Sequence, residues 1–168
     1  LILLPFVRQF ESLVCKILKG EDLEIEHGPI YLDPRLISTP FMAVMQTEKE
    51  VARMADLCYE NLKTAIDIFK GDETKDKKRF YDIEEIIDEL EEAINYYVAK
   101  ISQQSVNESQ AQILTSVISI CADLERIGDH AVSLVELAEY RYENNLPFSD
   151  EAVRELDEMT SKVLESVE

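Results

Sequence analysis

Long uninterrupted amphipathic stretches constrain this chain more than any other feature. Apolar residues recur at three- and four-residue spacing, which is the pattern of a helix with one buried face. The 168 residues include only four glycines and five prolines, and most of these lie outside the periodic stretches. Folds made of short strands need turn residues far more often, so the pattern predicts long helices and excludes a β-sandwich.

Breaker and capping residues divide the pattern into four long helices. The predicted helices cover about 38–70, 80–102, 108–144 and 150–168. A hydroxyl N-cap and Pro40 start the first, Gly71 ends it, and Ser149 caps the fourth. Short connections between long helices make sequential helices antiparallel neighbours. We therefore expect an all-α fold, an up-down antiparallel helix bundle.

Each predicted helix has one apolar face that we expect to be buried. On the first helix this face repeats every seven residues, at Val44, Val51, Cys58 and Ala65. The same spacing assigns Ile120 to the buried face of the third helix, and Met159 and Val163 to that of the fourth. Cys58 and Cys121 fall on apolar faces, so we interpret both as small buried thiols.

The charge of the chain excludes some functions and favours others. There are 35 acidic and 17 basic residues, which gives a formal net charge of −18. Such a surface repels phosphate backbones, and no stripe of Lys or Arg follows any helix, so we expect no nucleic-acid binding. The same charge suits cations or a basic partner surface. No nucleophile–base pair or phosphate loop is evident, so we expect a binding or regulatory protein and not an enzyme.

Two rows of carboxylates are the strongest candidates for a binding site. The rows are Glu84, Asp88 and Glu92 on the second helix, and Glu125, Asp129 and Glu136 on the third. In a helical projection each row borders the apolar face. Like charges four residues apart destabilise a helix by about 0.2–0.5 kcal/mol, so rows that face each other favour a bound cation. Oxygen-only ligands suit hard ions such as magnesium, manganese, calcium or iron, and they argue against zinc. A solvated charged face is the alternative interpretation.

Gly128 lies in the middle of the third predicted helix, where glycine costs about 1 kcal/mol relative to alanine. We interpret it as a sign of either tight helix packing or a nearby ion cluster. Glu24 and His27 have the spacing of a ferritin-type metal motif. Because Gly28 and Pro29 follow at once, and such bundles need the motif twice on helices, we do not assign a ferritin-like site.

The string Leu124-Glu125-Arg126-Ile127-Gly128-Asp129 resembles the signature of PhoU-type phosphate-regulatory proteins. The metal motif of that family is a carboxylate, three residues and then Asp, and it is matched by Glu125 with Asp129 and by Glu84 with Asp88. The resemblance covers about 40–143, one three-helix repeat where PhoU itself has two. It implies that these four residues bind iron, manganese or magnesium, with Glu92 and Glu136 as further candidates. A full cluster would then need a second chain or the fourth helix.

The residues that lead into the first long helix extend the resemblance. The segment 32–40 is similar to the link between the membrane domain and the PhoU-like tail of bacterial sodium/phosphate cotransporters. On this interpretation 1–37 is a membrane-proximal amphipathic helix and extended linker, 38–144 is the PhoU-like bundle, and 145–168 is an additional helix. Leu1–Phe6 would be the end of a transmembrane helix. The alternative is an exposed hydrophobic start of a free-standing PhoU homologue.

Two functions follow from this resemblance. The first is a cytoplasmic, metal-binding regulatory domain of a sodium-dependent phosphate transporter, at the cytoplasmic face of the bacterial inner membrane. Its partner would be the transporter membrane domain of the same chain. The second is a free-standing PhoU-like protein that represses phosphate uptake and signalling by docking on a transporter or a kinase. In either case the chain is a candidate homo-oligomer.

Overall fold

Four α-helices account for most of the fold: Pro40–Lys70 (α1), Lys77–Ile101 (α2), Glu108–Glu143 (α3) and Asp150–Val167 (α4). The computed structural model describes residues 27–71 and 75–167, and no strand occurs in these ranges. The all-α prediction is therefore confirmed. The expectations for 1–26, including the amphipathic segment, lie outside the described residues. None of the helices within the described ranges is long and apolar enough to cross a bilayer.

Capping residues set the helix ends and explain where the predicted bounds were wrong. The side chain of Asp76 accepts two backbone N–H hydrogen bonds from the first turn of α2, so this helix begins three residues before its predicted start. Thr39 occupies the N-cap of α1 as expected, but its side chain makes no capping hydrogen bond. Gly71 ends α1 with φ 115°, a conformation that favours glycine. Ser149 caps α4 as predicted, at 3.2 Å from a backbone nitrogen.

The helices form an up-down bundle around α1, which contacts α2, α3 and α4, while α2 and α3 also contact each other. Because the chain reverses direction twice, α1 and α3 run the same way. Buried side chains form two clusters along the bundle. The upper cluster, near the start of α1, includes Met54, Ile87 and Leu90. The lower cluster includes Phe80 and Val135.

Three apolar residues that we predicted to be buried are exposed instead. Ile120 is 45% exposed because the groove between α1 and α3 is open at its position. On α4, Met159 and Val163 are 58% and 39% exposed. The face of α4 that packs on the lower cluster carries Leu164 and Val167. An ion pair of 2.8 Å between Lys70 and Asp157 also joins α4 to α1.

The bundle has three seams, and each differs in what lies on it. The extended segment before α1 lies against α1 and α2, because Arg53 and Glu89 both hydrogen-bond to Gly28. The seam between α1 and α3 has two parts. At its lower end Phe148, just before α4, packs edge-on against Phe69 of α1 and lies under the guanidinium of Arg141 of α3. The upper part of that seam is the open groove. The seam between α2 and α3 carries the acidic rows.

Candidate metal centre

The seam between α2 and α3 brings the four carboxylates of the PhoU-type motif together. Electrostatic repulsion acts on Glu84 from Asp88, Asp129 and Glu125, and on Glu125 from Asp129 and Asp88. Such repulsion between residues of two helices requires that the two rows face each other across the seam. We expected both rows to lie at the rim of the core. The structure places these four residues in one patch along this seam.

Glu91 takes the place that we predicted for Glu92. Glu91 repels both Asp88 and Glu125, whereas Glu92 is exposed to solvent. The helical repeat explains the difference, because seven residues make nearly two complete turns and return Glu91 to the line of Glu84. The seven-residue spacing was a signal that sequence reasoning missed. We call Glu84, Asp88, Glu91, Glu125 and Asp129 the acidic ladder.

Glu136 lies beyond the lower end of the acidic ladder, beside Tyr81. Burial raises the pKa of Tyr81, and repulsion by Glu139 and Glu136 raises it further. Glu139 itself forms a 2.9 Å ion pair with Lys77. The lower end of the seam is thus partly neutralised, and the ladder proper ends above it.

Burial and like charge raise the pKa of three ladder carboxyls. For Glu84 and Asp88, burial is the largest cause, followed by the neighbouring carboxylates. The pKa of Glu125 is raised by burial and then by Asp129. All three shifts have the same origin, which is negative charge held at the edge of an apolar core.

Several basic side chains of the bundle pair with acids outside the ladder. Arg126, although adjacent to Glu125, lies 3.6 Å from Asp123 on another side of α3. Arg79 of α2 pairs with Glu60 of α1. Among the ion pairs of the described residues, none includes a ladder carboxylate. Arg126 offsets part of the charge at Glu125, and the Asn95 amide donates a 3.0 Å hydrogen bond to Glu91, but the ladder remains a largely uncompensated negative patch.

The donor set of the ladder fits a hard cation, because all of its ligands would be carboxylate oxygens. As the side chains stand, no three Asp, Glu, His or Cys groups in 27–71 and 75–167 converge closely enough to hold a metal ion. An ion would have to draw the ladder side chains inward from these rotamers. Since several of them are only partly buried, they are free to move.

Asn61 is a buried polar residue that sequence reasoning missed. Its side chain is 0% exposed, and neither amide atom forms a hydrogen bond with any described residue. The Cys58 sulfur lies 3.4 Å from the Leu124 carbonyl oxygen. One turn further along both helices come Asn61 and Gly128, which places them in the layer of the acidic ladder. The Asn61 amide oxygen is a ligand atom of the type that hard cations bind.

Gly128 also lies in this layer, but helix packing does not require a glycine there. A Cβ atom added at Gly128 would meet the nearest Ile87 carbon at 3.8 Å, an ordinary van der Waals distance. The tight-packing interpretation of Gly128 is therefore not supported by the geometry.

A buried acidic residue, also missed in the sequence, lies on the seam between α1 and α2. Glu50 is 0% exposed and lies 2.7 Å from the Arg53 guanidinium. It also accepts a 2.6 Å hydrogen bond from the Tyr31 backbone nitrogen. Arg53 in turn donates to the Gly28 carbonyl. This buried carboxylate is fully engaged within the chain and offers no site for a ligand.

Cys58 and Cys121 are buried and free, as predicted. Burial raises the pKa of each thiol to about 11. Such thiols are protonated at neutral pH.

The PhoU domain family matches residues 51–138, slightly more than half of the chain. The Escherichia coli (strain K12) protein named "Putative inorganic phosphate export protein YjbB" is 23% identical over 169 residues, which cover 99% of this chain and 31% of that protein. Its Salmonella typhimurium counterpart is 22% identical over 170 residues, with 100% and 31% covered. A Xylella fastidiosa phosphate-specific transport system accessory protein PhoU homolog is 28% identical over 87 residues, with 52% and 36% covered.

The chain thus spans about a third of the length of these relatives. No solved structure matches it significantly. The matched range runs from the second half of α1 through most of α3, and it contains all five ladder residues. By this match and by its three-helix architecture, the chain belongs to the PhoU domain family.

Proposed function

We propose that this chain is a PhoU-type regulator of phosphate transport that binds a hard metal ion on its acidic ladder and docks on a transporter or a phosphate-signalling kinase. The observation that carries the proposal is the largely uncompensated ladder of Glu84, Asp88, Glu91, Glu125 and Asp129. The printed name of the Xylella relative, an accessory protein of phosphate-specific transport, supports the link to transport.

A bound divalent or ferric ion would neutralise the ladder and hold α2 against α3. The ligands would come from both helices, so ion binding would stiffen this seam and set the shape of the surface around it. The chain would act by binding and not by turnover, since its carboxylates are used to hold an ion. Iron, manganese and magnesium all suit such a donor set.

A second candidate function places the chain as the regulatory tail of a phosphate transporter. The alignment with the E. coli export protein covers 99% of this chain, including the residues before α1. On this candidate the partner is a membrane domain in the same polypeptide, and the chain lies at the cytoplasmic face of the inner membrane. The two candidates share the ladder and differ in whether the partner is attached.

Phosphate uptake measured with radiolabelled orthophosphate tests the regulatory role. The chain is expressed in a bacterial host from which its own PhoU-type protein has been removed. We expect the wild type and Asp123→Ala to lower uptake, and Asp129→Ala to lose this effect, because only Asp129 belongs to the ladder. Unchanged uptake with the wild type, or equal effects of the two variants, would contradict the proposal.

The same assay separates the two candidates. The chain is produced either alone or joined behind the membrane domain of a phosphate transporter. Repression by the free chain favours a docking regulator, whereas repression only by the joined chain favours a transporter tail.

A further inference from the structure

The upper part of the seam between α1 and α3 is an open apolar groove. Its floor and walls are formed by Val51, Ala52, Ala55, Ile113, Val117 and Ile120. Phe41 is 64% exposed, and it precedes the groove residue Glu48 by two helical turns on the same side of α1. Phe41 and Ile120 are large apolar side chains that lie exposed beside this groove, and on a chain so rich in charge they indicate a binding surface for another apolar element.

The α3 wall of the groove has the length of a short helix. On α3 its lining runs from Ser109 to Ile120, which at 1.5 Å per residue is about 17 Å. A helix of about twelve residues has the same length. Parallel walls from two helices with an apolar floor are the geometry that accepts the apolar face of an amphipathic helix.

We infer that this groove is the docking site for residues 7–18 of the same chain. In this segment Phe10, Leu13, Val14 and Ile17 share one helical face. Its twelve residues match the length of the groove. This inference does not depend on the metal site or on the proposed function.

Charge favours this occupant over a second copy of the chain. Residues 1–19 contain three basic residues, Arg8, Lys16 and Lys19, and one acidic residue, whereas the whole chain has a net charge of −18. The polar rim of the groove includes Glu48. A cationic amphipathic segment is attracted to such a surface, while a second copy would bring the same large negative charge.

The residues between the docking segment and Gly28 are long enough for the segment to reach the groove. Gly28 is fixed to Arg53 on α1, and Arg53 lies on the same turns of α1 as the groove residues Val51 and Ala55. An α-helix is about 10 Å across. The eight residues 20–27 reach more than twice that distance when extended, so the segment can pass from one side of α1 to the other.

The chain contains no tryptophan, so Phe10→Trp in the full chain gives a single fluorescent reporter on the docking segment. We expect blue-shifted emission that is independent of protein concentration. Ile120→Asp in the groove should shift the emission to the red. Leu137→Asp, which changes a similarly exposed apolar residue of α3 outside the groove, should leave it unchanged. Circular dichroism verifies that all variants remain folded.

Three outcomes would overturn the inference. Red-shifted emission in the Phe10→Trp chain itself would show that the segment is not covered. A blue shift that disappears on dilution, together with dimers in sedimentation, would assign the groove to a second copy. Emission that is insensitive to Ile120→Asp, and blue-shifts only when anionic phosphatidylglycerol vesicles are added, would assign the segment to a lipid surface.

Discussion

Two seams of the bundle carry carboxylates, and the chain treats them in opposite ways. On the seam between α1 and α2, Glu50 is wholly buried but pairs with Arg53 and accepts a backbone hydrogen bond from Tyr31. On the seam between α2 and α3, the acidic ladder is only partly buried, and no described ion pair includes any of its members. One seam is electrostatically complete and the other is not.

The difference separates an acid that stabilises the fold from the acids that we propose as ligands of a metal ion. A buried carboxylate that has its partners within the chain holds the extended segment before α1 in place. Carboxylates that lack an ion-pair partner among the described residues repel each other at the edge of the core and are retained at a cost to stability. Burial alone would have selected Glu50 as the candidate residue, whereas the partners that Glu50 has within the chain make the ladder the better candidate.

The largest change in stability should come from a substitution on the seam between α1 and α2. Glu50→Ala removes the buried carboxylate that pairs with Arg53 and accepts a hydrogen bond from Tyr31, and breaking a buried pair costs about 3–5 kcal/mol. We expect the free energy of unfolding in urea to fall by this amount. Asp56→Ala, at an exposed acid of the same helix outside the groove, should change it by less than about 0.5 kcal/mol. Similar losses in both variants would show that Glu50 is not the anchor of this seam.

The opposite effect on stability is expected at Asn61 of α1, which lies in the layer of the acidic ladder. Replacing this buried, unpartnered amide by leucine removes unsatisfied polar atoms, each of which costs about 1–3 kcal/mol. We expect Asn61→Leu to raise the free energy of unfolding, measured without added metal. Lys63→Leu, on the exposed side of the same helix, should have little effect. Destabilisation by Asn61→Leu would mean that the amide has partners in the apo protein.

The two glycines of the helices offer a matched pair of tests. Gly128→Ala should stabilise the chain by about 1 kcal/mol, because the added methyl group has room and alanine is the better helix former. Gly71→Ala should destabilise it, since φ is 115° at that position. Thermal melting of both variants checks this. A loss of stability in Gly128→Ala would restore the tight-packing interpretation.

The smallest expected effect is the pH dependence of the ladder. The pKa values of Glu84 and Asp88 are raised in the folded state, so the folded chain binds more protons than the unfolded chain just above their ordinary values. Stability must then fall as the pH rises through this window. Glu84→Gln combined with Asp88→Asn should gain a few tenths of a kcal/mol at about pH 7 and lose this gain near pH 4.

Urea unfolding at several pH values measures the effect. Glu85→Gln combined with Glu92→Gln alters two exposed acids of α2 outside the ladder and is the matched control. If the control pair gains as much at neutral pH, general surface charge and not the ladder is responsible.

Much of this fold could be predicted from the sequence because helical periodicity is a local signal. The predicted apolar face of α2 is buried in full, from Phe80 to Ile101. Ile120, Met159 and Val163 were misplaced because periodicity cannot show whether an apolar face has a partner. The α1–α3 groove is open at Ile120, and α4 packs with a rotation that its own sequence does not reveal.

The candidate site was predicted in part for a similar reason. The four-residue spacing identified Glu84, Asp88, Glu125 and Asp129, and the structure brings these four together. Glu91 was missed because only the four-residue spacing was followed, although seven residues also return Glu91 to the line of Glu84. Glu50 and Asn61 were missed because their burial depends on contacts with distant parts of the chain. The role of the ladder as a metal site remains a prediction.

Thermal melting with and without Mn²⁺ tests that central claim most directly. Ligands that bind only the folded state raise the melting temperature by mass action. We predict that millimolar Mn²⁺ raises it for the wild type and for Asp123→Ala, that the rise is much smaller for Asp129→Ala, and that titration calorimetry gives the same order of affinities. An unchanged melting temperature with no metal found by elemental analysis, or equal losses in Asp123→Ala and Asp129→Ala, would contradict the assignment of the acidic ladder as a metal site.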